Sequence, residues 1–92
     1  VVLMTDDMRA TDWQALPRTR ERLGTRGTTF EHFILTTPVC SPSRASILTG
    51  MYAHNHGVLS NGKEDGGFSA FRDNDLADRS IAAALQGVGY RT

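Results

Sequence analysis

The side chains best suited to chemistry in this sequence are a cysteine and an arginine spaced one helical turn apart. Cys40 is the only cysteine among the 92 residues, and Arg44 follows it by four positions. If a helix begins here, the thiol lies where unpaired N–H groups and the positive end of the helix dipole attract anions. Arg44 would share the helix face of Cys40 and add a permanently charged donor for an oxyanion. The spacing therefore predicts a nucleophile beside an anion-binding corner.

Two consecutive aspartates form a second candidate site. Asp6 and Asp7 directly follow the short apolar run of residues 1–5. Their carboxylates are hard oxygen ligands, which suit Ca²⁺ or Mg²⁺ better than Zn²⁺ or Cu²⁺. Neighbouring side chains of a strand point to opposite faces, so both can reach one ion only where the strand ends and the backbone turns. The position of the pair after the apolar run satisfies that condition.

The other reactive or aromatic side chains favour structural roles. His54 and His56 would share one face of an extended chain and could reach one ligand, but a polar loop lining is the favoured interpretation. Trp13 is interpreted as a packing residue, and His32 receives no role. Lys63 and its two acidic neighbours are interpreted as solvated loop charge.

The candidate residues must be positioned by a small set of predicted elements. The continuous apolar run 1–5 is typical of a strand buried on both faces of a parallel sheet. Residues 28–35 are rich in threonine, phenylalanine and branched aliphatic residues, which predicts a second strand. Between them a helix is predicted from Pro17 to Leu23, because proline suits the first helical position and Gly24 stops the helix.

The cysteine segment predicts the helix on which the first site depends. Ser41 is a plausible N-cap, Pro42 fits the first helical position, and Gly50 ends the helix. Cys40 is therefore expected at the helix N-terminus.

The rest of the chain predicts a long loop and one more helix. Residues 57–75 carry closely spaced glycines and asparagines, which are typical of a loop. Asp78 is predicted to cap a helix that includes residues 81–87, and Gly89 lets the chain turn back. The order of apolar strands and helices predicts an α/β domain on a mostly parallel sheet, where ligands bind at the carboxyl ends of strands. Both candidate sites follow predicted strands.

The composition excludes several classes of function. Ten basic and ten acidic residues give no net charge, so binding of nucleic acid or an anionic membrane by bulk charge is not expected. No apolar run approaches the ~20 residues of a membrane-spanning helix. A single cysteine forms neither an internal disulfide nor a multi-cysteine zinc site. Because the chain opens inside an apolar run without an initiator methionine, it is interpreted as an excerpt of a larger domain.

The cysteine segment resembles the signature of a known enzyme family. Residues 40–50 read C-S-P-S-R-A-S-I-L-T-G, which resembles the C-x-P-S-R-A-x-x-L-T-G signature of the type I, formylglycine-dependent sulfatases. The segment 52–57 is most similar to the branch of N-acetylglucosamine-6-sulfatases and heparan-sulfate sulfatases. Further similar segments, which extend the resemblance over nearly the whole chain, are Thr5-Asp6-Asp7, Thr28-Thr29-Phe30 and Gly89-Tyr90-Arg91-Thr92.

This resemblance implies a reaction and roles for four residues. It implies hydrolysis of sulfate monoesters, with Cys40 converted to formylglycine by a formylglycine-generating enzyme that acts on the unfolded chain. The aldehyde hydrate of that residue would attack sulfur, while Arg44 holds the diol and offsets charge on the sulfate oxygens. Asp6 and Asp7, together with the modified Cys40, would bind a divalent cation, usually Ca²⁺ with Mg²⁺ as an alternative.

The resemblance also implies a fold, a substrate class and a location. The fold would be alkaline-phosphatase-like with a mostly parallel central sheet, of which residues 1–92 form the N-terminal fragment of a single catalytic domain. The substrate would be a sulfated small molecule or carbohydrate, and the protein would be periplasmic, secreted or lysosomal. Further cation ligands and the acid for the leaving group would lie outside these residues. The 92 residues alone are therefore predicted to be inactive.

Three alternatives remain open from the sequence. The first is a phosphonate or phosphate monoester hydrolase of the same superfamily, which can use the same nucleophile and metal pair. The second is a catalytically silent module that binds anions or carbohydrates. The third is a hydrolase that uses the thiolate itself, because a helix N-terminus also lowers the pKa of a cysteine.

Overall fold

The computed structural model describes residues 1–62 and 64–92. The described chain forms two compact units, Val1–Ile34 and Leu35–Thr92. Lys63, interpreted above as solvated loop charge, lies outside the described residues.

The first unit is built from short helical turns. A 3₁₀ helix covers Ala10–Ala15, and α1 covers Pro17–Thr19 with proline at its first position. The chain then continues as a π-helical turn over Arg20–Gly24, in which the Thr25 N–H donates to the Arg20 carbonyl at 3.1 Å. The predicted helix from Pro17 to Leu23 is confirmed in position. Trp13 is half-buried within this unit, in agreement with a packing role.

The two predicted strands are not formed in the described chain. Residues 1–5 carry no regular secondary structure, and residues 28–35 are irregular with a turn at residues 31 and 32. The sole β pairing among the described residues is an isolated bridge between Ser60 and Gly66. A strand requires a neighbouring strand to pair its backbone N–H and C=O groups, and neither segment has one here. Their apolar side chains are consequently exposed; they include Leu3, Phe30, Phe33 and Ile34.

The second unit is a cluster of helices around the cysteine helix. Its helices are α2 (Cys40–Thr49), α3 (Ala53–His56), α4 (Gly67–Asp73) and α5 (Ile81–Gly87). Helix α2 packs against each of the other three. The buried apolar core consists of Ala45, Val58, Ala70 and Leu76, with Met51 and Phe71 packed against it.

Helix α2 has one packed side and one open side. The packed stripe contains Pro42, Ala45, Ser46 and Thr49, which are buried or half-buried and follow the i, i+3, i+4, i+7 spacing of one helix face. These side chains are small and let the neighbouring helices approach closely. On the other side Arg44, Ile47 and Leu48 are exposed.

The C-terminus of α2 is where the sequence predicted it, whereas the N-cap residue differs from the prediction. Gly50 ends the helix in a left-handed conformation, with φ of 71°, and donates its N–H to the Ser46 carbonyl at 2.8 Å. The N-cap is Val39 rather than Ser41, so Cys40 is the first helical residue and Pro42 the third. The prediction of a Ser41 cap was wrong, because the side-chain oxygen of Asn61 accepts the hydrogen bond of a backbone N–H at this helix end.

Two further predictions downstream of α2 were wrong. The predicted loop 57–75 contains α4, which is anchored by its buried Ala70. The cap of α5 is Ser80 rather than Asp78; the Ser80 hydroxyl accepts the Ala83 N–H at 3.2 Å. Both residue types suit an N-cap, so the sequence alone did not separate them. The predicted extent of this helix, residues 81–87, is confirmed.

Candidate functional site

Cys40 is held at the first position of α2 (Cys40–Thr49). Its reduced thiol is half-buried. Val39 before it has an extended backbone, so the chain turns abruptly from an extended approach into the helix at the cysteine. Arg44 lies one turn further along the same helix and is exposed. The helix therefore places the two residues on one face, as the spacing predicted.

The backbone donors at this helix end differ from the expectation. The Ser41 N–H donates to the Asn61 side-chain oxygen at 2.9 Å, and Pro42 has no N–H to offer. The first intrahelical hydrogen bond follows at once, from the Ser43 N–H to the Val39 carbonyl at 2.9 Å. Asn61 thus serves as a helix cap from 20 residues away. An oxyanion near Cys40 would depend on charged side chains and a cation more than on a row of unpaired N–H groups.

Asp6 and Asp7 occupy a bend in the first unit. Both side chains are exposed, and their carboxylate oxygens lie within 4.8 Å of each other. Asp7 has a left-handed backbone with φ of 50°, a conformation that aspartate tolerates better than most residues. Consecutive strand residues would point to opposite faces, and this bend brings the two carboxylates together instead. The oxygen pair fits a Ca²⁺ or Mg²⁺ ion.

The buried position of His56 was not predicted from the sequence. Because α3 (Ala53–His56) is a helical turn, residues two apart point about 200° apart around its axis. His54 and His56 therefore do not share a face, contrary to the extended-chain expectation. His54 is exposed and stacks on Tyr52 with ring centroids 5.8 Å apart, whereas His56 is 1% exposed.

The His56 ring connects α3 to the cysteine helix. Its Nε2 lies 3.0 Å from the Ser46 hydroxyl, and its Nδ1 accepts the Val58 N–H at 3.1 Å. Burial lowers the pKa of His56 below its ordinary value; a hydrogen bond to the Pro42 carbonyl opposes this shift, and nearby His54 adds to it. A neutral ring is the expected state at pH 7. The local sequence signal was the Gly57 stop after the histidine, which ends a helical turn with φ of 72°.

Comparison with known proteins assigns a family to the whole chain. The sulfatase family model matches residues 1–92. The chain belongs to the sulfatase family. Members of this family have an alkaline-phosphatase-like fold; the central sheet of that fold is not formed among residues 1–62 and 64–92 of this structure.

Three relatives show how far the similarity extends. An extracellular sulfatase SULF-1 homologue of Drosophila melanogaster is 39% identical over 94 residues, covering 100% of this chain and 8% of the relative. Human N-acetylglucosamine-6-sulfatase is 36% identical over 95 residues, covering 100% of the chain and 17% of the relative. A multifunctional alkaline phosphatase superfamily protein, PehA of Trinickia caryophylli, is 44% identical over 70 residues, covering 76% and 12%.

The sulfatase chain spans only a small part of these relatives, between 8% and 17% of their length. No solved structure matches it at a significant level. Within the described residues, no helix has the length and apolar character needed to cross a membrane.

Proposed function

We propose that the protein containing this chain hydrolyses sulfate monoesters, with a formylglycine made from Cys40 as its nucleophile. The observation that carries the proposal is the placement of Cys40 at the start of α2 with Arg44 one turn later, in a chain matched throughout by the sulfatase family. A nucleophile at a fixed helix start, beside a permanent positive charge, suits attack on an anionic ester.

The aldehyde accounts for turnover in a way that a simple hydroxyl does not. One hydroxyl of the hydrated aldehyde would lose its proton and attack sulfur, the bond from sulfur to the ester oxygen would break, and the leaving oxygen would take a proton and depart as the alcohol. The second hydroxyl would then lose its proton, the carbonyl would re-form, and the bond from carbon to the sulfate oxygen would break to release sulfate. Addition of one water to the aldehyde would restore the diol for the next cycle. A serine sulfate ester has no second hydroxyl for this collapse. Arg44 would hold the diol and offset negative charge that develops on the sulfate oxygens.

Asp6 and Asp7 are the proposed ligands for a divalent cation, together with the modified Cys40. Ca²⁺ is the favoured ion, with Mg²⁺ as the alternative, because the ligands are hard oxygens. When bound, the cation supplies Lewis-acid polarisation of the sulfate group and favours loss of a diol proton. The bend at Asp7 supports this assignment, since it directs both carboxylates to one place.

The larger domain follows from the same proposal. Residues 1–92 would be one part of a single catalytic domain, in which residues 1–5 and 28–35 pair with other strands of a mostly parallel sheet. Their exposed apolar side chains support this assignment, because pairing and covering them would remove that surface from water. The open side of α2, with Ile47 and Leu48, would be covered in the same way.

The proposed substrates are sulfated sugars, processed outside the cytoplasm. One relative is named N-acetylglucosamine-6-sulfatase, which supports a sulfated sugar, and another is named extracellular sulfatase, which supports a secreted protein. The resemblance to the sulfatase family implies a periplasmic or lysosomal location as the alternatives. Maturation would require a formylglycine-generating enzyme as a transient partner. The acid that protonates the leaving alcohol would lie outside residues 1–92.

The reaction is tested with the full-length protein, produced in a host that makes formylglycine. Rates are measured on 4-nitrophenyl sulfate and on an aryl phosphonate monoester, with Arg44→Ala as a matched variant. We expect faster hydrolysis of the sulfate ester and a fall of about a hundredfold or more in Arg44→Ala, since loss of one charge-stabilising donor costs that much. Faster cleavage of the phosphonate would contradict the sulfatase assignment.

A second candidate is hydrolysis of phosphonate or phosphate monoesters. The similarity to a multifunctional alkaline phosphatase superfamily protein, at 44% identity, favours it as the alternative. The same two substrates separate the candidates. Binding of sulfated sugars without hydrolysis of either ester would instead support the silent module. Loss of activity on alkylation of the mature protein would support a thiolate nucleophile.

A further inference from the structure

The strongest unassigned feature of the second unit is the set of hydrogen bonds around His56. The side chain is almost fully buried, at 1% exposed, and the neighbouring Val58 is 0% exposed. The described structure contains no buried side-chain polar atom without a hydrogen-bond partner. A histidine in such a place costs free energy unless its two ring nitrogens are both satisfied.

The two ring nitrogens have different partners, and this fixes the position of the ring proton. Nδ1 accepts the Val58 N–H at 3.1 Å, so it carries no proton itself. In the neutral ring the proton is then on Nε2, which lies 3.0 Å from the Ser46 hydroxyl. The ring therefore donates to α2 and accepts from the chain that follows α3.

The backbone of His56 is fixed as well. Its carbonyl accepts a hydrogen bond from the Asn74 side-chain amide at 3.0 Å, which ties it to the residue that ends α4. A Cβ at Gly57, which follows His56, would lie 2.7 Å from the Asn74 Nδ2 atom, so a larger residue there would displace the amide that bonds the His56 carbonyl. His56 is thus held from two sides while its ring reaches α2.

The contact on α2 lies on the helix that carries the candidate nucleophile. Ser46 is on the packed stripe, six residues after Cys40 in the same ten-residue helix. A shift of the ring would therefore change the orientation of the helix through Ser46, which is in direct contact with it. His56 itself is too deeply buried to meet substrate, so any effect on the reaction passes through α2.

We infer that His56 is a positioning residue, which fixes the orientation of the cysteine helix α2 through the hydrogen bond that its Nε2–H donates to the Ser46 hydroxyl. The inference rests on the proposed ester hydrolysis at Cys40. The reaction rate should therefore depend on the hydrogen bond that the Nε2–H of this buried histidine donates to α2, and not only on the volume of the ring.

The test compares His56→Leu, His56→Gln and His54→Leu in the full-length protein. Leucine fills the site but makes no hydrogen bond, whereas glutamine can return an N–H near the position of Nε2. His54→Leu is the matched control, an exposed histidine on the same helical turn. The measurements are kcat and KM on 4-nitrophenyl sulfate, the conversion of Cys40 by peptide mass, and thermal unfolding.

We expect His56→Leu to lower kcat by about a hundredfold at nearly unchanged KM, the effect of misplacing a reactive group by roughly 1 Å. Cys40 should still be converted, because the modification precedes folding. His56→Gln should recover at least about a tenth of the wild-type kcat, and His54→Leu should resemble the wild type. A kcat of folded His56→Leu within twofold of the wild type would overturn the inference, as would a glutamine variant no better than leucine.

Ser46→Ala keeps the inference testable if His56→Leu fails to fold. It removes one acceptor of the Nε2–H and leaves the buried ring in place, and we expect a fall in kcat of about tenfold. An unchanged kcat in Ser46→Ala would count against positioning through this contact. Nitrogen-15 NMR of the histidine rings adds a structural readout at pH 7; the Nε2–H tautomer of His56 is expected, and the Nδ1–H tautomer would overturn the inference.

Failure of the proposed function has a different signature. If the wild type cleaves only the phosphonate, the same variants are compared on that substrate, and the inference stands or falls on their kcat values. If the mature wild type hydrolyses neither ester, the proposed function fails and the inference fails with it. An active wild type with unaffected His56 variants removes the inference alone.

Discussion

The two units of this chain differ in how much of their structure they complete by themselves. In Val1–Ile34, all of which the structure describes, no side chain is buried. In Leu35–Thr92, helix α2 packs on three other helices and the core residues are at most 7% exposed. Helices satisfy their backbone hydrogen bonds within one segment, whereas strands depend on a partner. In the described chain the helices are therefore formed, whereas the two predicted strands are not paired.

The two pairs of candidate site residues, one in each unit, are also held in different ways. The cysteine and arginine are placed on a helix that is packed on one side and capped by Asn61. The two aspartates depend on one local feature, the left-handed bend at Asp7. The first pair is fixed by tertiary packing and the second by backbone conformation, which gives different expectations for substitution.

The largest effect is expected from Cys40→Ser in the full-length protein. Steady-state hydrolysis of 4-nitrophenyl sulfate should fall by at least about a thousandfold, because the nucleophile is lost as a turnover catalyst. A serine sulfate ester should accumulate once per protein molecule and be visible by mass. Ser41→Ala is the matched control on the same turn. Retention of a tenth of the wild-type rate would contradict the assignment of the nucleophile to this helix.

The aspartates should show a smaller loss that depends on the cation. Asp6→Asn and Asp7→Asn each weaken a Ca²⁺ site by removing one ligand charge, and a loss of about a hundredfold in apparent Ca²⁺ affinity is expected. The measurement is activity restored by added Ca²⁺ after treatment with a chelator. Glu31→Gln, at another exposed carboxylate of the first unit, is the control. Equal Ca²⁺ responses in all three variants would exclude the pair as ligands.

Two leucine substitutions compare the buried core of Leu35–Thr92 with the exposed apolar run of Val1–Ile34. Leu76 is 1% exposed, and Leu76→Ala should lower the free energy of unfolding by about 2–5 kcal/mol. Leu3 is 79% exposed here, and the proposed sheet predicts a loss of similar size, again about 2–5 kcal/mol, for Leu3→Ala in the full-length protein. Denaturant unfolding measures both. A loss of less than about 0.5 kcal/mol for Leu3→Ala would mean that this run stays exposed.

The smallest expected effect lies within the second unit, at two left-handed glycines. Gly50 and Gly57 have φ of 71° and 72°, so alanine at either should cost about 1–2 kcal/mol. A Cβ at Gly50 meets no atom within 4 Å, while one at Gly57 would collide with Asn74. Gly57→Ala should therefore be more destabilising by about 1 kcal/mol. This excess should disappear in an Asn74→Ala background; equal costs for both glycines would contradict the close contact.

Local signals in the sequence predicted three helical segments, near residues 17–23, 40–50 and 81–87, but did not predict the 3₁₀ helix Ala10–Ala15, α3 or α4. Pro17, Gly50 and the alanine-rich segment 81–87 act through their own backbone preferences, and the elements that they predict are present. The bend at Asp6 and Asp7 was also foreseen, because two neighbouring carboxylates reach one ion only at a turn. The family was accessible from residues 40–50 and is confirmed by the match over residues 1–92.

Contacts over longer distances in the sequence were not predictable in this way. Asn61 caps a helix that begins 20 residues earlier, and the Asn74 amide bonds the His56 carbonyl from 18 residues away. No local sequence pattern predicts these hydrogen-bond partners. The predicted strands failed for the same physical reason, since apolar runs such as residues 1–5 and 28–35 become strands only when other segments pair with them.

The most direct test of the account is the mass of the peptide containing Cys40, taken from full-length protein that hydrolyses sulfate esters. Conversion to formylglycine replaces a thiol by an aldehyde and lowers the peptide mass by about 18 Da. The account predicts this lower mass in the active protein, with hydrolysis proportional to the converted fraction. Full hydrolytic activity in protein whose Cys40 peptide carries only the unmodified thiol would contradict it.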